Sequence, residues 1–269
     1  MQRVQSGLLL SPRNNVLLTL QQTCSIFIVV RRIEQRLTRE SAVVQKNISI
    51  WGWTPHKELH MKVAVICSNG KVGKLVVKEA LVAGFDVTGF ARGENKSDAK
   101  NFVQKDIFAI TKEDLAGFDA VVDAFGAWTE AELPNHGKSL NHLCDLLAGT
   151  KTRLLIVGGA GSLYVNKEHT ATVSDGPDFP DIFKPLANAM AAALKDLRTR
   201  NDVQWTYISP AGDFQADAPK TGKWIWGGEE LTLNSKGESI ISYADYAAAM
   251  VEEIKNGKNI QKRISLVRE

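Results

Sequence analysis

The sequence predicts an α/β fold, a doubly wound parallel sheet with a small C-terminal region beside the ligand-binding edge, and three observations carry that prediction. Short apolar runs at 62–66, 86–91, 119–125 and 152–157 have the length and composition of strands buried on both faces. Segments of helical periodicity alternate with them at short spacing, as right-handed crossovers require. Finally, Gly70, Arg92, Asp106, Gly126 and Gly158 stand just past the carboxyl ends of the runs, where ligands bind in such sheets.

Residues 62–66 form the first strand, and Cys67-Ser68-Asn69-Gly70-Lys71-Val72-Gly73 is a glycine-punctuated turn. Beyond it Val72, Leu75, Val76, Ala80 and Ala83 recur at helical spacing, opposite Lys71, Lys74, Lys78 and Glu79. A strand thus feeds a helix through a glycine loop, a junction that aims helix-start amides and the positive end of a dipole at a pyrophosphate. Residues 86–91 read as the second strand, ending at Arg92, which lies 19 residues after Gly73. At that distance a carboxylate accepts bonds from the ribose hydroxyls of NAD, whereas an arginine pairs with the 2′-phosphate of NADP. The spacing therefore points to NADPH rather than NADH; a solvated arginine at a strand end is the alternative.

Residues 102–105 make a short strand closed by Asp106 and Ile107, and Thr111 to Asp114 has the spacing of a capping box that predicts a short helix. The strand at 119–125 exits at Gly126, a helix spans 136–147, and the strand at 152–157 runs into Gly158-Gly159-Ala160-Gly161-Ser162. After a polar loop at 165–180 come an Ala-rich helix at 184–200 and a strand at 203–209 stopped by Pro210. Residues 221–233, with Trp224, Trp226 and Gly227-Gly228, read as a hairpin or paired short strands. Their tryptophans belong either to the wall of the cleft or to ordinary packing. Ser242 to Asp245 is a second capping box, opening a helix that Gly257 ends.

With 269 residues and 44% apolar content, the chain holds one sizeable core. Residues 1–60 differ from the rest, with 8 Lys and Arg, 3 Glu and no Asp. They read as an unfolded appendage or upstream start ahead of a domain at 61–269; a mitochondrial transit peptide is the minor alternative. Their apolar stretch at 24–30 is too short to cross a bilayer, so no membrane is expected. The remainder carries 25 basic and 27 acidic residues, which argues against a nucleic-acid partner. Cys24, Cys67 and Cys144 are an odd number without C-x-x-C spacing, as suits a reduced cytoplasmic setting. His56 and His60 stand at i, i+4 without the glutamate a zinc motif needs, so no metal is expected.

From Met61 onward the order of segments resembles the atypical short-chain dehydrogenase/reductases, in particular NmrA-like NAD(P)H-binding proteins of the NADH-flavin reductase type. The matching pieces are SNGKVG at 68–73, Arg92, KDIF at 105–108, DAFG at 123–126 and VGGAGSL at 157–163. PDFP at 177–180, FKP at 183–185, SPA at 209–211, TGKW at 221–224 and ISYADYA at 241–247 follow in order. The resemblance implies a Rossmann-like sheet with a substrate-side C-terminal region. It also implies NADPH (or NADH) held by Ser68, Asn69, Gly70, Lys71, Val72, Gly73 and Arg92, with Asp106 and Ile107 near the adenine and Ala124, Phe125 and Gly126 over the adenosine and ribose. The small-molecule acceptor it implies is a flavin such as FMN or FAD.

Two departures matter. The family opens its loop with glycine where this chain has Cys67, so the turn must tolerate a Cβ; Cys67 is then either a buried small residue or a redox thiol. The usual Y-x-x-x-K pair, in which lysine lowers the tyrosine pKa for proton delivery, is also missing. None of Tyr164, Tyr207, Tyr243 and Tyr246 has Lys four residues on, and Phe183-Lys184 stand near the expected place. Carbonyl reduction by a tyrosine is therefore disfavoured, and no catalytic acid or base is assigned. Hydride transfer to a flavin or quinone needs no such pair, because a conjugated acceptor spreads charge and takes its proton from water. Ser162 and Lys184 stand where they would contact the acceptor or nicotinamide, against the simpler readings of a loop-capping hydroxyl and a surface lysine. An NADPH-dependent flavin or quinone reductase is the first expectation and a non-enzymatic dinucleotide sensor the second. A nucleotide-sugar epimerase, which needs the absent tyrosine, is the third.

Overall fold

Ten strands and four helices are built by residues 61–269, which are the residues that the structure, a computed structural model, describes. The expectations for residues 1–60, including Cys24 and the His56/His60 pair, lie outside the described residues. Strands β1 (Lys62–Ile66), β2 (Asp86–Ala91), β3 (Asn101–Gln104), β4 (Ala120–Asp123), β5 (Arg153–Val157) and β6 (Gln204–Ser209) all run parallel. β7 (Asp213–Gln215) pairs with β9 (Ile240–Ser242) in a separate two-stranded sheet. β8 (Trp224–Gly227) and β10 (Lys262–Arg268) complete the main sheet, whose order is β3-β2-β1-β4-β5-β6-β10-β8. Only β8 is antiparallel to its neighbour. The chain winds outward from β1 in one direction and from β4 in the other, so a topological switch point lies between these two strands.

The alternation in β1 explains the layering. Val63 and Val65 pack with Val76, Val77 and Ala80 of α1 (Lys71–Val82) and with Ala247 and Met250 of α4 (Tyr243–Asn256). Ala64 and Ile66 face the other side, against Leu140, Leu143 and Leu147 of α2 (Asn135–Leu147) and Leu194 and Leu197 of α3 (Lys184–Leu197). Each strand side chain alternates faces, and both faces are covered, which is why these strands read as continuous apolar runs.

Several expectations change. The Thr111–Asp114 box is made, with Thr111 N donating to Asp114 at 2.8 Å, yet 112–117 is a chain of turns and not a helix. Gly117, at φ 82°, ends it before a second helical turn can form. Of the two readings of 221–233, the short paired strand holds and the hairpin does not: Trp224 and Trp226 lie in β8, which pairs with the C-terminal β10. The sequence pattern does not predict β10, and neither does it predict β7 or β9. The α1 core face is Gly73, Val76, Val77 and Ala80, while Ala83 is an exposed C-cap. Among the described residues no helix is long and apolar enough to cross a membrane.

Candidate functional site

The site is built at the carboxyl ends of β1 and β4. After Ile66 the chain reverses at Cys67, whose φ of 58° lies in the left-handed region, and Gly70 N closes the turn on Cys67 O at 2.9 Å. Glycine would relieve that conformation, and this chain places a cysteine there instead. Gly70 is the N-cap of α1 and makes no side-chain cap bond; the first intrahelical bond is Lys74 N to Gly70 O, 3.0 Å. The amides of Lys71 and Val72, which line the cleft, precede that bond and so are left for a ligand. Gly73 is required for a different reason: a Cβ there would sit 2.5 Å from Cys67 O and 3.0 Å from Ser68 Cα. Ser68 is buried, with its amide 3.0 Å from Phe90 O. Ser68 and Gly73 thus shape the loop from beneath.

A cleft of about 1120 Å³ opens above it. Asn69, Gly70, Lys71, Val72, Arg92, Asp106, Ile107, Ala124, Phe125 and Gly126 all line it; Ser68 and Gly73 do not. Asn69 ties two loops together, donating to Glu94 O at 2.7 Å and accepting from Lys96 N at 2.7 Å. The result places Lys96 in the same cleft as Lys71 and Arg92. Lys96 lies in a polar stretch whose sequence carries no sign of this role; its signal is the Asn69 bond, which is visible only in three dimensions. The Arg92 side chain is 78% exposed, and its Nε stands 3.9 Å from the Asp106 carboxylate. Asp106 also accepts from Phe108 N at 2.9 Å, capping the turn that places Ile107.

The other half of the cleft is apolar. Phe179, Phe183, Leu186, Met190, Phe214 and Tyr243 line it together with the Gly158–Ser162 loop, and Trp128 stands at the rim, 70% exposed. Lys184 does not line the cleft; its ammonium is paired with Asp181 at 2.7 Å. Trp224 and Trp226 pack against the core instead of the cleft. Of the tyrosines, Tyr246 donates to Ile208 O at 2.6 Å, Tyr207 accepts from Gly159 N at 3.2 Å, and Tyr164 stacks on His169 with ring centroids 4.2 Å apart. Only Tyr243 reaches the cleft, and Ala247 is four residues on.

Residues 68–257 match a family described as NAD(P)H-binding. The chain belongs to this NAD(P)H-binding family. It is 39% identical over 212 residues to YwnB, an uncharacterized protein of Bacillus subtilis, covering 78% of this chain and 99% of that one. A crystal structure from Streptococcus pneumoniae, described as a candidate NADH-flavin reductase, is 53% identical with a TM-score of 0.76, over 78% of this chain and all of that one. A candidate epimerase from Bacteroides thetaiotaomicron is 28% identical with a TM-score of 0.69, over 77% of this chain and 97% of that one.

In this NAD(P)H-binding protein the residues fit the cofactor on structural grounds. Open helix-start amides suit a pyrophosphate, and a Cβ at Gly73 would push the helix off the loop that presents them. Beneath the loop, burial pushes the Cys67 thiol up to about 12, and the nearby Asp123 carboxylate adds to the effect. A thiol held protonated at neutral pH is a weak nucleophile, which favours the reading of Cys67 as a small packing residue over that of a redox thiol. Asp123 is fully buried at the end of β4 and its pKa rises to about 6, opposed by a 3.0 Å bond from Phe125 N. That bond positions the Ala124–Gly126 strip. Burial lowers the pKa of His136, whose Nε2 lies 3.1 Å from Ala127 O. Burial also raises Tyr243, which makes its phenol a poorer proton donor. Among the described residues no group of three or more His, Cys, Asp and Glu side chains is arranged to hold a metal ion.

Proposed function

We propose that the protein is an NADPH-dependent oxidoreductase that reduces a flavin or quinone-like acceptor without a tyrosine–lysine pair. The observation that carries this reading is one continuous cleft. It joins helix-start amides and the cations Lys71, Arg92, Lys96 and Lys105 at one end to an apolar aromatic wall at the other. When bound, NADPH supplies a hydride. Lys71 and Val72 amides hold the pyrophosphate, Arg92 with Lys71 and Lys96 binds the 2′-phosphate, Asp106 and Ile107 flank the adenine, and Ala124, Phe125 and Gly126 cover the adenosine and ribose. Phe179, Phe183, Met190 and Phe214 exclude water and support a flat acceptor ring, and Ser162 contacts its polar edge. One hydride and one proton from water complete the two-electron reduction, so the protein need supply no acid. The similarity to the Streptococcus pneumoniae protein supports the acceptor class. Among the described residues the two cysteines, Cys67 and Cys144, are free, one partly buried and one buried, which supports a reducing, cytoplasmic setting. The partner is a small-molecule acceptor, not nucleic acid or membrane.

A second reading, a non-enzymatic dinucleotide sensor, is favoured by one observation: the only tyrosine at the cleft lacks a lysine partner. Mixing the full chain with NADPH and FMN or a quinone, and following nicotinamide absorbance, separates the two. The reductase reading expects acceptor-dependent NADPH oxidation; tight NADPH binding with no turnover would favour the sensor.

A further inference from the structure

We propose that Arg263 is a positioning residue that presents the Ser162 hydroxyl to the cleft as a hydrogen-bond donor for the acceptor. This rests on the reductase reading above. Arg263 lies in β10, beside Tyr207 of β6, and is 4% exposed. Its Nη1 donates to Ser162 O at 2.7 Å and to Ser162 Oγ at 3.0 Å, and its Nη2 donates to Glu229 O at 2.8 Å. A guanidinium has five donors and no acceptor, so it occupies a lone pair of Oγ and cannot take the hydroxyl hydrogen. Among the described residues no other acceptor takes that hydrogen either. Ser162 lines the cleft, so an oxygen of a bound acceptor is the partner its geometry leaves.

The charge balance acts in the same direction. Glu229 pairs with Arg198 as well as Arg263, so two guanidinium groups share one carboxylate behind Ser162. A quinone or flavin gains negative charge on a carbonyl oxygen as it is reduced. A donor polarised by a buried cation is worth more in that state than in the oxidised one. The loop does not need Arg263 to hold its backbone elsewhere: Gly159 N bonds to Tyr207 and Leu163 N to Ala160 O.

The test is a double-mutant cycle on the full chain with Ser162→Ala, Arg263→Lys and the pair. Lysine keeps the charge but loses the fork that spans Ser162 and Glu229. Ser162→Ala should lower kcat by roughly 10²-fold, the scale of one donor at a developing anion, with the NADPH Kd unchanged. Arg263→Lys should lower kcat alone but add nothing to Ser162→Ala. A second readout needs no turnover: the infrared carbonyl stretch of a bound quinone, without NADPH, should be down-shifted in the parent and restored in both single variants. Equal losses from Arg263→Lys in both backgrounds, or an unshifted stretch in the parent, would overturn the proposal. A down-shifted stretch lost in both variants, with no turnover in the parent, would sustain Arg263's role and defeat the reductase reading. Failure of any quinone or flavin to bind would defeat both.

Discussion

Arg92 and Asp123 show how single residues set the chemistry of the cleft. Arg92 projects from the end of β2 with its side chain largely in solvent, and in the function proposed above it acts on the 2′-phosphate of the cofactor. Arg92→Ala should weaken NADPH by about 1.5–3 kcal/mol, the value of a charge-assisted bond, and NADH far less; titration of both cofactors checks this, and equal losses would remove Arg92 from the phosphate site. Asp123 acts from inside. Its folded pKa of about 6 lies above the ordinary carboxylate value of 3.8. Between about pH 4 and 6 the native state therefore holds a proton that the unfolded chain has released, and stability falls as pH rises through that window. Asp123→Asn keeps an acceptor for Phe125 N and removes the dependence. Urea midpoints at pH 4, 5 and 7 should show the variant gaining on the parent by something on the order of 2–3 kcal/mol as pH rises; parallel curves would contradict a buried charge. Cys67 was legible as a departure from glycine. Its left-handed φ was not, because a small polarisable side chain carries no sequence mark of backbone strain.

At the scale of elements, the β1–α1 unit was legible nearly to the residue because two periods meet at one loop: an apolar run and then a helical stripe. Its weak point is the contact of Gly73 with the Cys67 and Ser68 backbone. Gly73→Val should abolish NADPH binding, read by titration, while far-ultraviolet circular dichroism shows the helices retained; unchanged affinity would refute the loop's role. Elements defined by distant partners were harder to read. In β10, Arg263 and Ser265 are buried polar residues that interrupt the apolar run, and the strand is recognisable only beside β6 and β8. The Thr111 box failed in the opposite way. Its local hydrogen bonds formed, but a cap stabilises a helix end without supplying the turns that must follow.

In the whole molecule, the cleft lies at the carboxyl edge of a sheet whose strand order reverses at β1 and β4. That Asn69 to Val72, Arg92, Asp106, Ile107 and Ala124 to Gly126 share one cleft was legible because these residues fall in short motifs at strand ends. The aromatic half was not, since Phe179, Met190, Phe214 and Tyr243 come from four segments that only the fold assembles. Phe183→Ala and Met190→Ala should raise the KM for FMN or a quinone several-fold and leave the NADPH Kd unchanged; an equal loss of both would mean that this wall does not separate acceptor from cofactor. The most direct test of the account is a crystal structure with NADPH bound. It should show the pyrophosphate on the Lys71 and Val72 amides, the 2′-phosphate between Arg92 and Lys96, and the nicotinamide facing Ser162 and the aromatic wall. A nicotinamide turned out to solvent, or a 2′-phosphate remote from Arg92, would contradict it.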